Sequence, residues 1–140
     1  MIYTIVKTIP RDETLQYGHY YLVKTEVQNL IGEGFSKWTS EDWSDFRARL
    51  QYEMSQNDLV LVDIEKVTDY EANIITRYEG HSILALAIVI VIGTALSVFG
   101  LWIVRDNIVE IIKETQPITK NIAMIVLVIV GALVFFRVKG

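Results

Sequence analysis

Asp63 and Glu65 are the pair of residues whose type and spacing come closest to supporting acid–base chemistry. They lie two positions apart in a segment that alternates like a β-strand, so both carboxylates would project from one face of that strand. Two neighbouring carboxyl groups can act as a general acid and a general base. Such a pair on a strand is more often a solvated surface, which is the interpretation we favour.

The other polar signals do not complete a catalytic or metal-binding motif. The segment LIGEGFSK contains GxG but lacks the GxxxxGK[ST] spacing of a phosphate-binding loop. Ser36, Ser40 and Ser44 lack the GxSxG context of a hydrolase nucleophile. The chain has no cysteine, its two histidines are His19 and His81, and it shows no HExxH or EF-hand pattern. These observations predict a protein that is not an enzyme and needs no metal, cofactor or small-molecule substrate.

Charged and apolar residues are distributed unevenly along the chain. Residues 1–81 contain eight Lys or Arg and fourteen Asp or Glu, a net charge of −6, whereas residues 82–140 carry +2. An acidic surface repels nucleic-acid phosphates, so we expect no nucleic-acid partner. Because apolar residues are concentrated towards the C-terminus, the sequence predicts a soluble domain over residues 1–80 and a transmembrane region over residues 81–140.

Two long apolar runs predict transmembrane helices. The first covers residues 83–104 without a charge, and a helix needs about 20 apolar residues to cross a hydrocarbon core of roughly 30 Å. The second is centred on residues 122–136 and reaches a comparable length over residues 118–137. These runs predict an integral membrane protein with a two-helix hairpin. Without an export signal, both termini are expected on the cytoplasmic side, or on the interior side of a virion membrane.

The segment between the two runs predicts a shape of its own. Within residues 105–116, Ile108, Ile111 and Ile112 recur at helical spacing, while charged residues fall largely on the other side. This pattern is typical of an amphipathic helix that lies in the lipid interface or contacts a protein partner. We therefore predict an amphipathic connecting segment between the two spans.

Small residues in the first run suggest a contact between helices. Gly93 and Ser97 are four positions apart, and Gly100 follows three positions later. Small residues at this spacing allow membrane helices to approach each other closely. These three residues are thus candidates for a transmembrane packing seam.

The N-terminal region shows strand and helix patterns in the order ββαββ. Alternating, β-branched segments predict strands at residues 1–9, 19–28, 59–67 and 72–79, and a helix is predicted at about residues 40–55. One helix on an antiparallel sheet forms a compact domain. The predicted fold class is accordingly an α+β membrane protein: a small ββαββ domain followed by a two-helix transmembrane hairpin.

The start of the predicted helix carries the strongest local signal. Thr39 is a favourable N-cap, and the charge of Asp42 suits the third helical position. Trp38 and Trp43 occupy the two positions of a hydrophobic staple. With Tyr20, these tryptophans are also candidates for an aromatic patch that contacts other proteins, since Trp and Tyr are enriched at interface anchors.

Taken together, these patterns predict a non-catalytic structural or accessory subunit of a larger membrane assembly, in a cell or in a virion. The expected partners are the lipid bilayer and other subunits, in a homo- or hetero-oligomer. One alternative is an oligomeric pore-forming or membrane-permeabilising protein of holin-like or effector type. Another is a membrane-tethered enzyme, which would need a deep polar pocket holding a carboxylate with a strongly shifted pKa.

Overall fold

A computed structural model of the chain describes residues 2–104 and 108–115. These residues form β1 (Ile2–Ile9), β2 (Tyr20–Gln28), α1 (Ser40–Ser55), β3 (Leu59–Lys66), β4 (Glu71–Tyr78), α2 (Ala85–Ser97), β5 (Trp102–Ile103) and β6 (Ile108–Thr115). Contacts group the chain into two units, Ile5–Ile112 and Met1–Thr4 with Lys113–Gly140. The first unit contains both helices and most of the sheet.

The described strands form one sheet in the order β1-β6-β2-β4-β3, with β5 paired to β2. Strand β2 is central and pairs antiparallel with β4, β5 and β6. β5 pairs with Val27 and Gln28, and β6 pairs with an earlier stretch of β2 that begins at Tyr20. As far as the described strands go, this order places β1 and β3 at the two edges of the sheet.

Strand β2 has the buried face that its sequence predicts. Tyr21, Val23 and Val27 are fully buried in the core that the sheet forms with both helices. The hydroxyl oxygen of Tyr21 accepts a hydrogen bond from the Gln16 backbone N–H at 2.8 Å. Burial raises the pKa of the Tyr21 phenol above its ordinary value. The ring is therefore neutral in the folded protein at physiological pH and acts as a core residue.

Helix α1 lies where its capping signals predict it. The Asp42 backbone N–H donates to the Thr39 hydroxyl at 3.3 Å, and the Asp42 carboxylate accepts from the Thr39 backbone N–H at 2.8 Å. This reciprocal pair is a capping box. Phe46, Leu50 and Met54 recur every three or four residues and are fully buried, so the helix packs this face against β3 and α2.

The run predicted as the first transmembrane span, residues 83–104, contains a short core helix. Helix α2 has thirteen residues, about 20 Å at a rise of 1.5 Å per residue, whereas a bilayer core is roughly 30 Å thick. Among the residues described, no helix combines the length and apolar character needed to cross a bilayer. This finding overturns the predicted membrane-hairpin fold class and the predicted integral-membrane location with cytoplasmic termini. The described fold is a small domain rich in antiparallel sheet with two helices.

The connection between β1 and β2 determines where α2 begins. The backbone N–H groups of Ala85 and Leu86 donate to the carbonyl oxygens of Glu13 and Arg11, each at 2.9 Å. The first N–H groups of a helix lack partners within the helix and need such acceptors. The start of the apolar run is thus hydrogen-bonded to a polar loop of the same fold.

Gly100 ends the helical segment at its other end. Its φ of +74° is a left-handed conformation. The Leu101 N–H donates to the Leu96 carbonyl at 3.2 Å, and the Gly100 N–H donates to the Ser97 carbonyl at 3.1 Å. These bonds form a Schellman motif, which Gly commonly completes. The segment VFGLW therefore contains a helix stop signal, although the long apolar run around it suggested one continuous membrane helix.

The predicted amphipathic connecting helix is a strand where the structure describes it. In β6, Ile111 lies opposite Tyr21 and Ile112 lies opposite Tyr20. Adjacent strand residues point to opposite faces, so these two isoleucines do not share one apolar face. Ile108 belongs to the same strand. The second predicted span, residues 118–137, and the rest of the connecting segment lie outside the described residues.

Burial on both faces explains why β6 resembled a helix. Val109, Glu110 and Ile112 are all nearly inaccessible, although they include neighbours on opposite faces. A strand buried on both faces shows a nearly continuous apolar run rather than strict alternation. Such a run also satisfies helical spacing, so the pattern alone does not separate the two structures.

Candidate protein-interaction site

Among the described strands, β1 is an edge of the sheet, and it has exposed apolar side chains on both faces. Ile5 and Val6 are neighbours and so point to opposite faces, yet 51% of Ile5 and 60% of Val6 are exposed. Lys7 and Thr8 are exposed too, whereas Ile9 is buried in the core. A long edge strand rich in exposed β-branched residues is a template for pairing with another chain.

The opposite edge, β3, has two features that protect edge strands. Its register with β4 shifts between Leu61 and Asp63, which marks a β-bulge. Its exposed residues include the charged Asp63, Glu65 and Lys66. Bulges and charges both discourage the addition of a further strand. Strand β3 therefore has clear protection against the addition of a further strand.

The two carboxylates considered for acid–base chemistry lie on this protected edge. The Asp63 carboxylate is 3.8 Å from the Arg47 guanidinium of α1 and accepts a hydrogen bond from the Ile64 backbone N–H at 2.8 Å. Asp63 and Glu65 are both exposed. Their surroundings match the solvated strand face that the sequence favoured.

A groove of about 450 Å³ lies between α1 and β3. Its lining residues are Ser40, Trp43, Ser44, Arg47, Ile64 and Lys66. The two cations are already compensated, because Arg47 pairs with Asp63 and the Lys66 ammonium is 3.1 Å from the Asp69 carboxylate. A membrane-tethered enzyme would need a deep pocket that holds a carboxylate, and the lining of this groove has hydroxyls and cations instead.

Two of the three residues predicted to form an aromatic patch lie together. The rings of Trp38 and Trp43 are 4.8 Å apart and join a cluster with Phe35, Phe46 and Phe99. Phe35 and Phe46 are buried, and the two tryptophans pack partly buried against the core. This cluster joins the start of α1 to the end of α2, so its main role is to hold the two helices together.

Tyr20 lies apart from the tryptophans in the sheet. It pairs with Arg77 of β4, and the Arg77 guanidinium carbon is 6.0 Å from the centre of the Tyr20 ring. Because Tyr20 precedes the buried Tyr21, its side chain points to the other face of the sheet. The three aromatic residues therefore do not form one patch.

The three small residues proposed as a packing seam have separate surroundings. A Cβ atom on Gly93 would lie 3.4 Å from the Ile103 side chain of β5. The Ser97 hydroxyl donates to the Thr94 carbonyl at 2.7 Å. Gly100 supplies the left-handed residue that ends α2. Close packing is thus found at Gly93, and it involves a strand rather than a second helix.

One feature that the sequence did not predict is an ion pair on the face of the sheet opposite the one that carries Tyr21 and Val23. The Lys24 ammonium is 3.2 Å from the Glu110 carboxylate, and the Glu110 side chain is only 7% exposed. The other carboxylate oxygen of Glu110 has no hydrogen-bond partner within the described part of the chain. Glu110 lies opposite Leu22. A slip of one residue would move its charge to the core face, so this pair helps to fix the register of β6.

A second missed feature is the apolar tip of the loop after β2. Leu30 is 89% exposed and Ile31 is 76% exposed. The Asn29 side-chain oxygen accepts hydrogen bonds from the backbone N–H groups of Ile31 and Glu33, at 3.0 and 2.8 Å. Gly32, with a φ of +83°, completes the turn. The signal in the sequence was NLIGEG, in which Asn and Gly enclose two large aliphatic residues.

Asn29→Ala should destabilise the fold by about 1–2 kcal/mol, because two backbone N–H groups lose their acceptor. Leu30→Ala is the control and should change the free energy of unfolding by less than about 0.5 kcal/mol, since this side chain is exposed. Urea denaturation of the purified variants measures both effects. An Asn29→Ala variant as stable as the wild type would show that these hydrogen bonds do not hold the turn.

The chain matches no protein-family model, no curated protein and no solved structure. Within residues 2–104 and 108–115, no group of three or more His, Cys, Asp or Glu side chains is arranged to hold a metal ion. The exposed apolar side chains of β1 and the bulge and charges of β3 distinguish the two edges that the described strands form.

Proposed function

We propose that this protein is a non-catalytic subunit of a protein assembly and that it binds its partner by adding a strand to the β1 edge. The observation that supports this function is the exposure of Ile5 and Val6 on opposite faces of an edge strand. In strand addition, main-chain hydrogen bonds provide affinity and the alternating side chains provide specificity. On β1, the exposed side chains of Ile5 and Val6 would supply this specificity.

The expected energy of such a contact is modest. Full burial of an Ile or Val side chain contributes roughly 1.5–3 kcal/mol, so burying the exposed half of Ile5 and Val6 would contribute about 2–3 kcal/mol in total. Each main-chain hydrogen bond adds about 0.5–1.5 kcal/mol. Association also has an entropic cost of several kcal/mol. We therefore expect an association that depends on protein concentration.

The permeabilising alternative has no support among the described residues. It required apolar spans that line a lesion or pore. The first of these runs forms α2, in which Ile88, Ile92 and Leu96 are fully buried against the core. A helix that is apolar on most sides is typical of a protein core as well as of a membrane span.

Val6→Lys should weaken the assembly at least tenfold, or about 1.4 kcal/mol, because a charge on an edge strand discourages pairing. Ile90→Lys is a matched control. Ile90 is 58% exposed, close to the 60% of Val6, but lies on α2. Size-exclusion chromatography of the tagged full chain, both purified and in extracts of the expressing cells, measures the mass of its complexes.

The expected result is that the wild type and Ile90→Lys elute in complexes and Val6→Lys elutes as a monomer. Elution of the wild type at monomer mass in both settings would contradict the proposed function. Equal behaviour of the two lysine variants would show that assembly does not use β1.

A further inference from the structure

We propose that the apolar loop tip formed by Leu30 and Ile31 inserts into the surface of a zwitterionic lipid bilayer. This inference goes beyond the proposed function and does not depend on β1. The contact is peripheral, so it needs no helix that crosses the bilayer. Four properties of the loop support it: its exposure, its internal hydrogen bonds, the aromatic side chains at its base and the balance of charge around it.

Leu30 and Ile31 are more exposed than any other large apolar residue that the structure describes, at 89% and 76%. They are adjacent in one turn, so their apolar atoms form a single projection from the surface. A protein partner would need a pocket of matching shape for such a projection. Acyl chains at the headgroup boundary adapt to its shape, and aliphatic side chains are commonly buried there.

The turn satisfies its own backbone N–H groups. Those of Ile31 and Glu33 donate to the Asn29 side-chain oxygen, and the Gly32 N–H donates to the Asn29 backbone carbonyl at 3.1 Å. A backbone N–H that leaves water without a partner is strongly unfavourable in lipid. Three consecutive N–H groups of the tip can therefore enter an apolar layer with their hydrogen bonds intact.

Two half-exposed aromatic side chains lie at the base of the loop. Trp102 of β5 is 46% exposed and pairs with Gln28, two residues before Leu30. Tyr70 is 43% exposed, and its backbone carbonyl accepts from the Val27 N–H at 2.8 Å. Trp and Tyr concentrate where lipid meets water, because each has an apolar body and a polar end. An aliphatic tip with aromatic residues behind it suits this boundary.

The charges around the loop favour a neutral lipid surface. The Lys37 ammonium is 3.1 Å from the Glu33 carboxylate, and the Lys66 ammonium is 3.1 Å from that of Asp69. Binding to anionic lipids normally uses clusters of uncompensated Lys and Arg. Because residues 1–81 also carry a net charge of −6, anionic headgroups would repel this part of the chain.

The area of this surface also favours lipid over a protein partner. Each aliphatic side chain offers roughly 100 Å² of apolar surface, and the exposed halves of the two aromatic rings add a similar area each. The total of roughly 400 Å² is about half of the 800 Å² that each partner buries in a typical stable protein interface.

A fluorescent probe on the tip tests the insertion directly, because the natural chain contains no cysteine to compete for the label. Full-length Ile31→Cys is labelled with an environment-sensitive nitrobenzoxadiazole group and mixed with phosphatidylcholine vesicles. Its emission should shift to shorter wavelength, and a quencher attached to the acyl chains should reduce it. Labelled Ile90→Cys is the control, since Ile90 is 58% exposed but lies on α2. Its emission should not change.

A substitution at the tip measures how strongly the contact contributes. Leu30→Asp should reduce association with phosphatidylcholine vesicles at least tenfold in a flotation assay, whereas Ile90→Asp should not. Both side chains are exposed, so both variants should unfold at nearly the wild-type temperature. Adding phosphatidylserine should not strengthen binding, and raising the NaCl concentration from about 0.1 M to about 1 M should not release the chain.

Each contrary result overturns the inference in a different way. A shift of the tip probe that needs high protein concentration but no vesicles would identify a protein contact. Vesicle binding without a shift of the tip probe would place the lipid contact elsewhere in the chain, and release by salt would indicate attraction between charges. Absence of vesicle binding would also overturn it. The proposed function is tested separately, because Val6→Lys is measured without added lipid.

Discussion

Ile92→Ala should lower the free energy of unfolding by about 3 kcal/mol, within the roughly 2–5 kcal/mol typical of large-to-small substitutions in cores. Ile92 is fully buried in the cluster that joins α2 to α1 and the sheet. Removing its outer carbons loses transfer energy and leaves a cavity that the neighbouring side chains fill only in part. Chemical denaturation followed by tryptophan fluorescence measures the loss.

Ile90→Ala is the control for this prediction, because it makes the same substitution two positions earlier in the same helix. Ile90 is 58% exposed, so its loss should cost less than about 0.5 kcal/mol. The contrast between the two positions tests whether α2 is a core helix with one exposed face. Equal losses of stability at both positions would contradict that placement.

Gly34→Ala should destabilise the fold by about 3 kcal/mol or more, at the upper end of overpacking effects. A Cβ atom on Gly34 would lie 2.1 Å from the Asp69 carbonyl oxygen and 3.0 Å from the Tyr70 ring. The Phe35 backbone N–H donates to this same carbonyl, so the loop before α1 is tied to the turn between β3 and β4. The clash is with backbone, and relieving it would break this hydrogen bond.

Gly93→Ala provides the matched control for Gly34→Ala. Its Cβ would lie 3.4 Å from the end of the flexible Ile103 side chain, and Ala is favoured over Gly inside a helix by about 0.5–1 kcal/mol. This variant should therefore unfold at or slightly above the wild-type temperature, while Gly34→Ala unfolds well below it. Similar melting temperatures for the two variants would mean that the loop before α1 and the turn between β3 and β4 are not in close contact.

Short-range signals predicted the first five elements well. The capping box of α1 involves residues three positions apart, and the burial of Phe46, Leu50 and Met54 follows the helical repeat of a single segment. Strand β2 likewise buries every second residue on its core face. In such segments the residues that determine the structure are close neighbours in the chain, so the pattern contains the necessary information.

The apolar run at residues 83–104 shows where such patterns stop being informative. A continuous apolar helix is stable in lipid or at the centre of a protein core, and the amino-acid types are the same in both cases. In this chain the helix packs into a core formed by segments distant in the sequence, and its first N–H groups, those of Ala85 and Leu86, donate to Glu13 and Arg11. The stop at Gly100 is a local feature of the sequence, but the same residue also fits the small-residue spacing of helix packing.

The sequence by itself determined the positions of the strands and the helix over residues 2–78, the acidic charge of that region and the absence of cysteine. Tertiary structure alone decided that α2 is a core helix and that β6 lies between β1 and β2. Within the described part of the chain, the insertion of β6 leaves β1 at one edge of the sheet, the surface on which the proposed function depends. Strand order arises from pairing between residues distant in the chain, which no local pattern of side chains encodes.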